Sequence, residues 1–236
     1  MAIAKRSEIR GLYVIVDPQQ TRARDPVDVA RLALAGGARI IQWRDKTRDK
    51  GEQLPQAQAI RDLCRERGAL FFVNDHVDLA LALSADGAHL GQRDLPLPLV
   101  RPWLPAGFLL GVSSNTSDEA RRAEREGADY VGVGAVFPTV TKSVARPASP
   151  ERLRDVIAAV KVPVVAIGGI NEGNVDQVIA AGADAVAVIS AVCLADDVEE
   201  AARRLSSRFP YPQTRSRGFP ASAARGGLWR QNVGED

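Results

Sequence analysis

Residues 32–41 read LALAGGARII, and this stretch decides the fold. An Ala/Leu run of helical character stops at a glycine pair, and a burst of β-branched residues follows at once. Glycine just past the last helical turn takes the left-handed conformation that ends a helix, and the chain then enters a strand. The same unit returns as RGALFF at 67–72, SADGAHL at 84–90, EGADYV at 126–131 and AGADAVAV at 181–188. Repetition of helix, glycine and strand predicts alternating α and β elements around a parallel sheet.

Working outward from these units, strands are expected at 12–16, 39–43, 70–73, 87–90, 108–112, 130–133, 163–167 and 185–189. Helical patterns lie between them, among them 26–35, 52–67, 77–83, 117–126, 150–160 and 175–180. Eight βα units predict a closed (β/α)8 TIM barrel of the α/β class, a single domain over 1–210. An open doubly wound sheet is the rival, and the lack of Gly-x-Gly-x-x-Gly after the first strand counts against its dinucleotide-binding version. After Pro210 the pattern stops. Residues 211–236 are rich in Pro, Gly, Ser and Arg, and a flexible tail is expected there. The competing reading is a segment that orders on a partner through Trp229.

Composition agrees with a soluble enzyme-sized domain. Apolar residues make up 45% of the 236 and charged residues 25%, enough to bury a core. The formal charge of +2, with arginines spread along the chain, gives no footprint for a nucleic acid. The first ten residues lack the apolar stretch of a secretory signal, and no run is long enough to span a membrane. A cytoplasmic setting is therefore expected, with the oligomeric state left open. Cys64 and Cys193, without metal-ligand spacing, are expected to be buried free thiols.

Chemistry in such a barrel sits on the loops that follow the strands, which converge on one mouth. The second strand ends Gln42-Trp43-Arg44-Asp45-Lys46. Alternation sends Gln42 and Arg44 inward and Trp43 to the helices, with Lys46 on the rim. An interior arginine calls for an anion, either a ligand or a neighbouring carboxylate. Asp75, after the third strand, and Asp94, after the fourth, stand on adjacent loops. Two carboxylates beside cations suit Mg²⁺ and a diphosphate, although Asp75 alone also suits a helix cap. His76 reads as a helix-start residue and His89 as a packed barrel residue with a hydrogen-bonded ring. Ser113 ends the fifth strand, where its hydroxyl could bind a ligand, while residues 113–117 could equally be turn and cap residues for the next helix. Thr139, Thr141 and Lys142, in FPTVTK, offer donors for a phosphate, with an edge β segment as the alternative. Gly168 and Gly169 after the seventh strand, and Ser190 after the eighth, occupy the usual phosphate position of this fold.

With these residues assembled, the chain resembles the thiamine-phosphate synthase family. The likeness rests on QWRDK at 42–46, NDHVDLAL at 74–81, HLGQRDLP at 89–96, FPTVTK at 137–142 and VVAIGGI at 164–170, in the family's order over roughly 11–205. The resemblance implies a Mg²⁺-dependent transferase that condenses hydroxymethylpyrimidine diphosphate with thiazole phosphate, giving thiamine phosphate and pyrophosphate. It implies that Gln42, Arg44, Lys46, Asn74, Ser113 and Lys142 hold the pyrimidine diphosphate, and that Asp75 and Asp94 bind Mg²⁺. Thr139, Thr141, Gly168, Gly169, Ile189 and Ser190 would take the thiazole phosphate. Arg44, Lys46, Ser113 and Lys142 are the expected catalytic residues. Asn115 stands where members usually carry histidine, which argues against the sister tautomerase activity. A tautomerase-like isomerase and a non-catalytic phosphate-binding barrel are the remaining alternatives.

Overall fold

Strands as apolar as GLYVIV and AVAV need cover on both faces, which a closed barrel ringed by helices supplies. In the computed structural model, which describes residues 7–139 and 150–209, eight parallel strands pair in chain order and close on themselves. They are β1 (Gly11–Val16), β2 (Ile40–Trp43), β3 (Leu70–Asn74), β4 (Gly87–Leu90), β5 (Leu109–Ser114), β6 (Tyr130–Val133), β7 (Val164–Ile167) and β8 (Ala185–Val188). Pairing of β1 with β8, Gly11 opposite Ala185 through Val14 opposite Val188, excludes the open sheet. The expected tail, with Thr141 and Lys142, lies outside the described residues.

β3 and β5 run further than their sequence patterns suggest. Pairing continues past the apolar stretch, with Asn74 opposite His89 and Ser113 opposite Gly132. Both polar residues therefore sit on strands rather than on loops, so their directions are fixed by the pleat.

The outer layer comprises α1 (Pro26–Ala35), α2 (Lys50–Arg67), α3 (Val77–Ala82), α4 (Leu97–Val100), α5 (Ser117–Arg125), α6 (Pro150–Ala159), α7 (Val175–Ala180), α8 (Ser190–Cys193) and α9 (Val198–Ser206). Local chemistry sets their ends. Asp25 caps α1 by accepting from Val27 N at 2.9 Å, with Pro26 in the first turn. α2 starts earlier than expected because Glu52 reaches back to Asp49 N, and it stops at Gly68, whose φ is 65°. α9 packs on α1 and helps complete the ring. No described helix is long and apolar enough to cross a membrane.

Alternation divides the strand residues into two cores. Leu12, Val14, Val16, Ile41 and Trp43 belong to the layer shared with the helices. Tyr13, Ile15, Ile40, Phe72, Leu109 and Tyr130 fill the barrel. Cys64 and Cys193 are buried free thiols, as expected. Cys193 donates to Ile15 O at 3.4 Å, and burial pushes its thiol up to about 12, which leaves it an inert packing group.

The α1–α9 contact depends on the absence of a side chain at Gly36. A Cβ there would lie 2.3 Å from Glu199 O and 2.6 Å from Ala202 Cβ, and Ser206 Oγ already donates to Gly36 O at 2.7 Å. Gly36→Ala is expected to cost about 1–3 kcal/mol through overpacking. Urea denaturation reads this directly. A midpoint equal to that of the parent would mean that the two helices separate at no cost.

Candidate active site

The β2–α2 connection carries the first cluster. Trp43 turns outward and donates from Nε1 to Gln53 Oε1 at 3.0 Å. Gln53 in turn donates to Arg48 O at 2.7 Å. Asp45, buried beneath the loop, accepts from Thr47 N and Thr47 Oγ1, each at 2.9 Å, and pairs with Arg48. Burial works against its charge, but these donors outweigh it and hold the carboxyl below the usual carboxylate range. Lys46 therefore stands on a loop that is tied down on both sides.

Gln42 points into the barrel and is buried, as alternation predicts. Arg44 also lines the interior, yet its charge is not left for a ligand alone: it pairs with Asp17, a buried carboxylate at the end of β1. A neighbouring carboxylate thus partners Arg44, while its side chain still borders the cleft. Lys46 Nζ lies 3.1 Å from Asp75 Oδ2.

Asp75 and Asp94 meet at this rim. Asp75 adopts a φ of 61°, a left-handed conformation uncommon outside glycine, though Asp takes it more readily than most residues. It does not cap the following helix; that position belongs to His76. Burial opposes ionisation of Asp75, but the hydrogen bond and charge of Lys46 prevail and pull its carboxyl down. Asp94 is pushed the other way, first by burial and then by the negative charge of Asp75, despite accepting from Gly91 N at 2.6 Å. Two carboxyl groups competing for one charge form a set of hard oxygen donors that a divalent cation would satisfy.

These residues surround one cleft of about 520 Å³, a volume suited to small-molecule ligands. Arg44, Lys46, Asn74, Asp75, Asp94 and Ser113 line one part of it. Thr139, Gly168, Gly169, Ile189 and Ser190 line the rest. Gln42 reaches only a deeper cavity of about 40 Å³ beneath. Every described residue expected at the site thus meets one of these two cavities, and Thr141 and Lys142 lie outside the described residues.

The glycine pair has a physical reason beyond ligand approach. Gly168 and Gly169 have φ of 99° and 65°, and a Cβ at either would strike the loop after β6, 2.6 Å from Ala135 Cα or 2.5 Å from Pro138 O. No helix starts directly at the pair. An Asn171–Asn174 turn intervenes, with Asn174 Nδ2 donating to Gly169 O at 2.9 Å. Ser190, in contrast, opens α8.

Sequence reasoning missed Asp17, Tyr13 and Tyr130 in the interior. For Asp17 the signal was present: Tyr13, Ile15 and Asp17 alternate along one face of β1, so the carboxylate had to arrive at the mouth. His89 is hydrogen-bonded through its ring, as expected, and it also lines the cleft. Within 113–117 the cap of α5 is Thr116, which accepts from Glu119 N, while Ser113 stays on β5 and borders the cleft.

The comparisons agree with the geometry. A family model described as thiamine monophosphate synthase matches residues 12–192. The chain is similar to thiamine-phosphate synthase of Moorella thermoacetica, 52% identical over 195 residues, covering 82% of this chain and 93% of that one. It is also similar to thiamine-phosphate synthase of Methanospirillum hungatei, 49% identical over 197 residues, covering 83% and 96%. Among solved structures, the thiamine phosphate pyrophosphorylase from Pyrococcus furiosus superposes with a TM-score of 0.79 at 43% identity, covering 86% of this chain and 96% of that chain.

The Asp45 anchor makes stability pH-dependent. Its folded pKa is depressed, so its contribution is present above the unfolded value and is lost as pH falls through the folded one. Asp45→Asn is expected to cost about 2 kcal/mol near neutral pH, and the gap to the parent should narrow in acid. Denaturant titrations across that range measure it, and a gap independent of pH would refute the charge-based account.

Proposed function

The chain belongs to the thiamine monophosphate synthase family and is a transferase of thiamine biosynthesis, and from that premise we propose how its cleft carries out the condensation. Hydroxymethylpyrimidine diphosphate binds with its ring toward Gln42, Asn74 and Ser113 and its diphosphate toward Arg44, Lys46 and Lys142. Thiazole phosphate places its phosphate against Thr139, Thr141, Gly168, Gly169, Ile189 and Ser190. The observation that carries this reading is the convergence of Arg44, Lys46, Asp75 and Asp94, from three different strand ends, on one cleft.

Asp75 and Asp94 fit Mg²⁺. Among the described residues no group of three or more His, Cys, Asp or Glu is arranged for a metal, but Mg²⁺ takes one or two carboxylates and completes its shell with water and phosphate oxygens. When bound there it would neutralise charge on the diphosphate. Lys46, now paired with Asp75, stands ready to contact the same anion.

The reaction proceeds by dissociation. The bond from the methylene carbon to the diphosphate oxygen breaks, and the electron pair leaves with pyrophosphate. The aminopyrimidine delocalises the positive charge left on carbon. The thiazole ring nitrogen then donates its lone pair to form the new C–N bond. Arg44 and Lys46 stabilise the leaving group as its charge grows, from positions set before the reaction begins, and Lys142 adds a third cation. The loop anchored by Asp45 keeps the Lys46 ammonium near that charge, and Asp17 neutralises Arg44 without taking it out of the cleft.

With both substrates and Mg²⁺, the protein is expected to release pyrophosphate and thiamine phosphate in equal amounts. Arg44→Ala or Lys46→Ala should lower kcat/KM roughly a hundredfold, as when one donor to a developing charge is lost. Asp94→Ala should also abolish Mg²⁺-dependent binding of pyrophosphate, read by calorimetry. Turnover that persists in a chelator would rule out the metal-assisted route, and Mg²⁺-independent pyrophosphate binding would rule out the assignment of Asp94.

A further inference from the structure

Across the floor of the cleft, side chains from five strands form one hydrogen-bonded line. Gln42 Nε2 donates to the Tyr13 hydroxyl at 2.6 Å. The Tyr13 and Tyr130 hydroxyls lie 3.2 Å apart. Tyr130 reaches His89 Nδ1 at 3.0 Å, and His89 Nε2 reaches Ser113 Oγ at 2.9 Å. The line runs from β2 through β1, β6 and β4 to β5, and all five residues border the 40 Å³ inner cavity.

Packing holds the line in place. Gly111 stands where a Cβ would lie 2.0 Å from Tyr130 Cζ, and Gly132 where a Cβ would lie 3.0 Å from His89 Cε1. Phe72 meets the Tyr130 ring edge to face, with centroids 5.5 Å apart. The rings therefore have little room to rotate the polar atoms out of register.

Proton counting gives the line a direction. A tyrosine hydroxyl carries one proton, and a neutral imidazole carries one on a single nitrogen. Tyr13 accepts from the Gln42 amide, and the bond recorded for its own proton among the described residues is the one to Tyr130. Tyr130 then has its proton for Nδ1. His89 must carry its proton on Nε2 and give it to Ser113, whose own proton is left to point into the cavity. The reverse arrangement would set the Tyr13 hydroxyl to accept twice and bury an unused O–H, which is costly. Burial raises both phenols well above their ordinary range, so each keeps its proton at neutral pH.

We propose that this line is a polarised relay that presents the Ser113 hydroxyl as a hydrogen-bond donor to an acceptor atom, such as a ring nitrogen, of the heteroaromatic first substrate. Tyr13, Tyr130 and His89 are positioning residues that act through Ser113. The substrate part of the inference rests on the function proposed above, whereas the direction of the relay does not. It also gives His89 a role other than proton shuttle, since both ring nitrogens are engaged within the line.

Nitrogen-15 NMR of the histidine rings tests the direction on the full-length protein without substrates. The chain has two histidines, and His89→Asn identifies the signal. His89 is expected as the Nε2–H tautomer. An Nδ1–H or doubly protonated ring in the wild type overturns the proposal. Tyr130→Phe, which cuts the line without changing its shape, should give a mixture of tautomers. It should also lower kcat/KM for the pyrimidine diphosphate at least tenfold, with KM for thiazole phosphate changed less than twofold. An unchanged tautomer, or both KM values rising together, marks a purely structural tyrosine and also overturns the proposal. Tyr13→Phe, which leaves the bonds from Tyr130 to Ser113 intact, repeats the test if the first variant does not fold. If the wild type forms no thiamine phosphate, the functional reading fails while the tautomer result still decides the relay.

Discussion

Pairing of β8 with β1, from Gly11 against Ala185 to Val14 against Val188, removes both edges of the sheet. Once the sheet is closed, every inward residue faces other inward residues across a confined space, and its neighbours are no longer its neighbours in sequence. Tyr13 meets Tyr130, 117 positions away. The floor of the cleft and the convergence of the strand ends both follow from that closure. An open sheet made of the same elements would leave Gln42, His89 and Ser113 on one face with nothing to bring them into line.

Charge is then distributed by height. The floor is polar, its hydrogen-bonded line built from an amide, two phenols, an imidazole and a hydroxyl. The rim is ionic, with Arg44 held by Asp17 and Lys46 by Asp75. An unpaired ion at the floor would pay the full cost of desolvation, whereas at the rim water shares that burden. The left-handed conformation of Asp75 fits the same scheme. A backbone held in a sparsely populated region is tolerated where the surroundings over-determine it. Here Asp75 N donates to His89 O at 2.8 Å on one side and the carboxylate meets Lys46 on the other.

The barrel was legible because its signal is local and repeated. Helix, glycine and strand recur, and each copy can be read without the others. The cluster at the mouth was legible for a related reason: period-two alternation tells which of Gln42, Trp43 and Arg44 turns inward, and the structure places them accordingly. Asp17 escaped because the acidic residue ending β1 was not counted along its strand, although the same alternation reaches it. The aromatic partners escaped for a different reason. A tyrosine within an apolar strand carries no mark of its cross-barrel contact, which is set by the register of strands far apart in sequence. The extra length of β3 and β5 was hidden too, because pairing to a neighbour, and not the apolar character of Asn74 or Ser113, carries the strand onward.

Glycines show how one residue type serves separate demands. At Gly168 and Gly169 the positive φ and the nearness of the loop after β6 both exclude a side chain, so their presence follows from packing before any ligand is considered. At Gly111 the backbone does not demand glycine by its φ; the space is taken by the Tyr130 ring. A motif glycine at a barrel mouth can therefore serve a ligand only when its loop also borders the cleft, as the loop of Gly168 and Gly169 does. Steric need accounts for the residue type, and position accounts for its use. The same distinction separates Gly111, which shapes the floor by making room for a ring, from Gln42, His89 and Ser113, which line the inner cavity themselves.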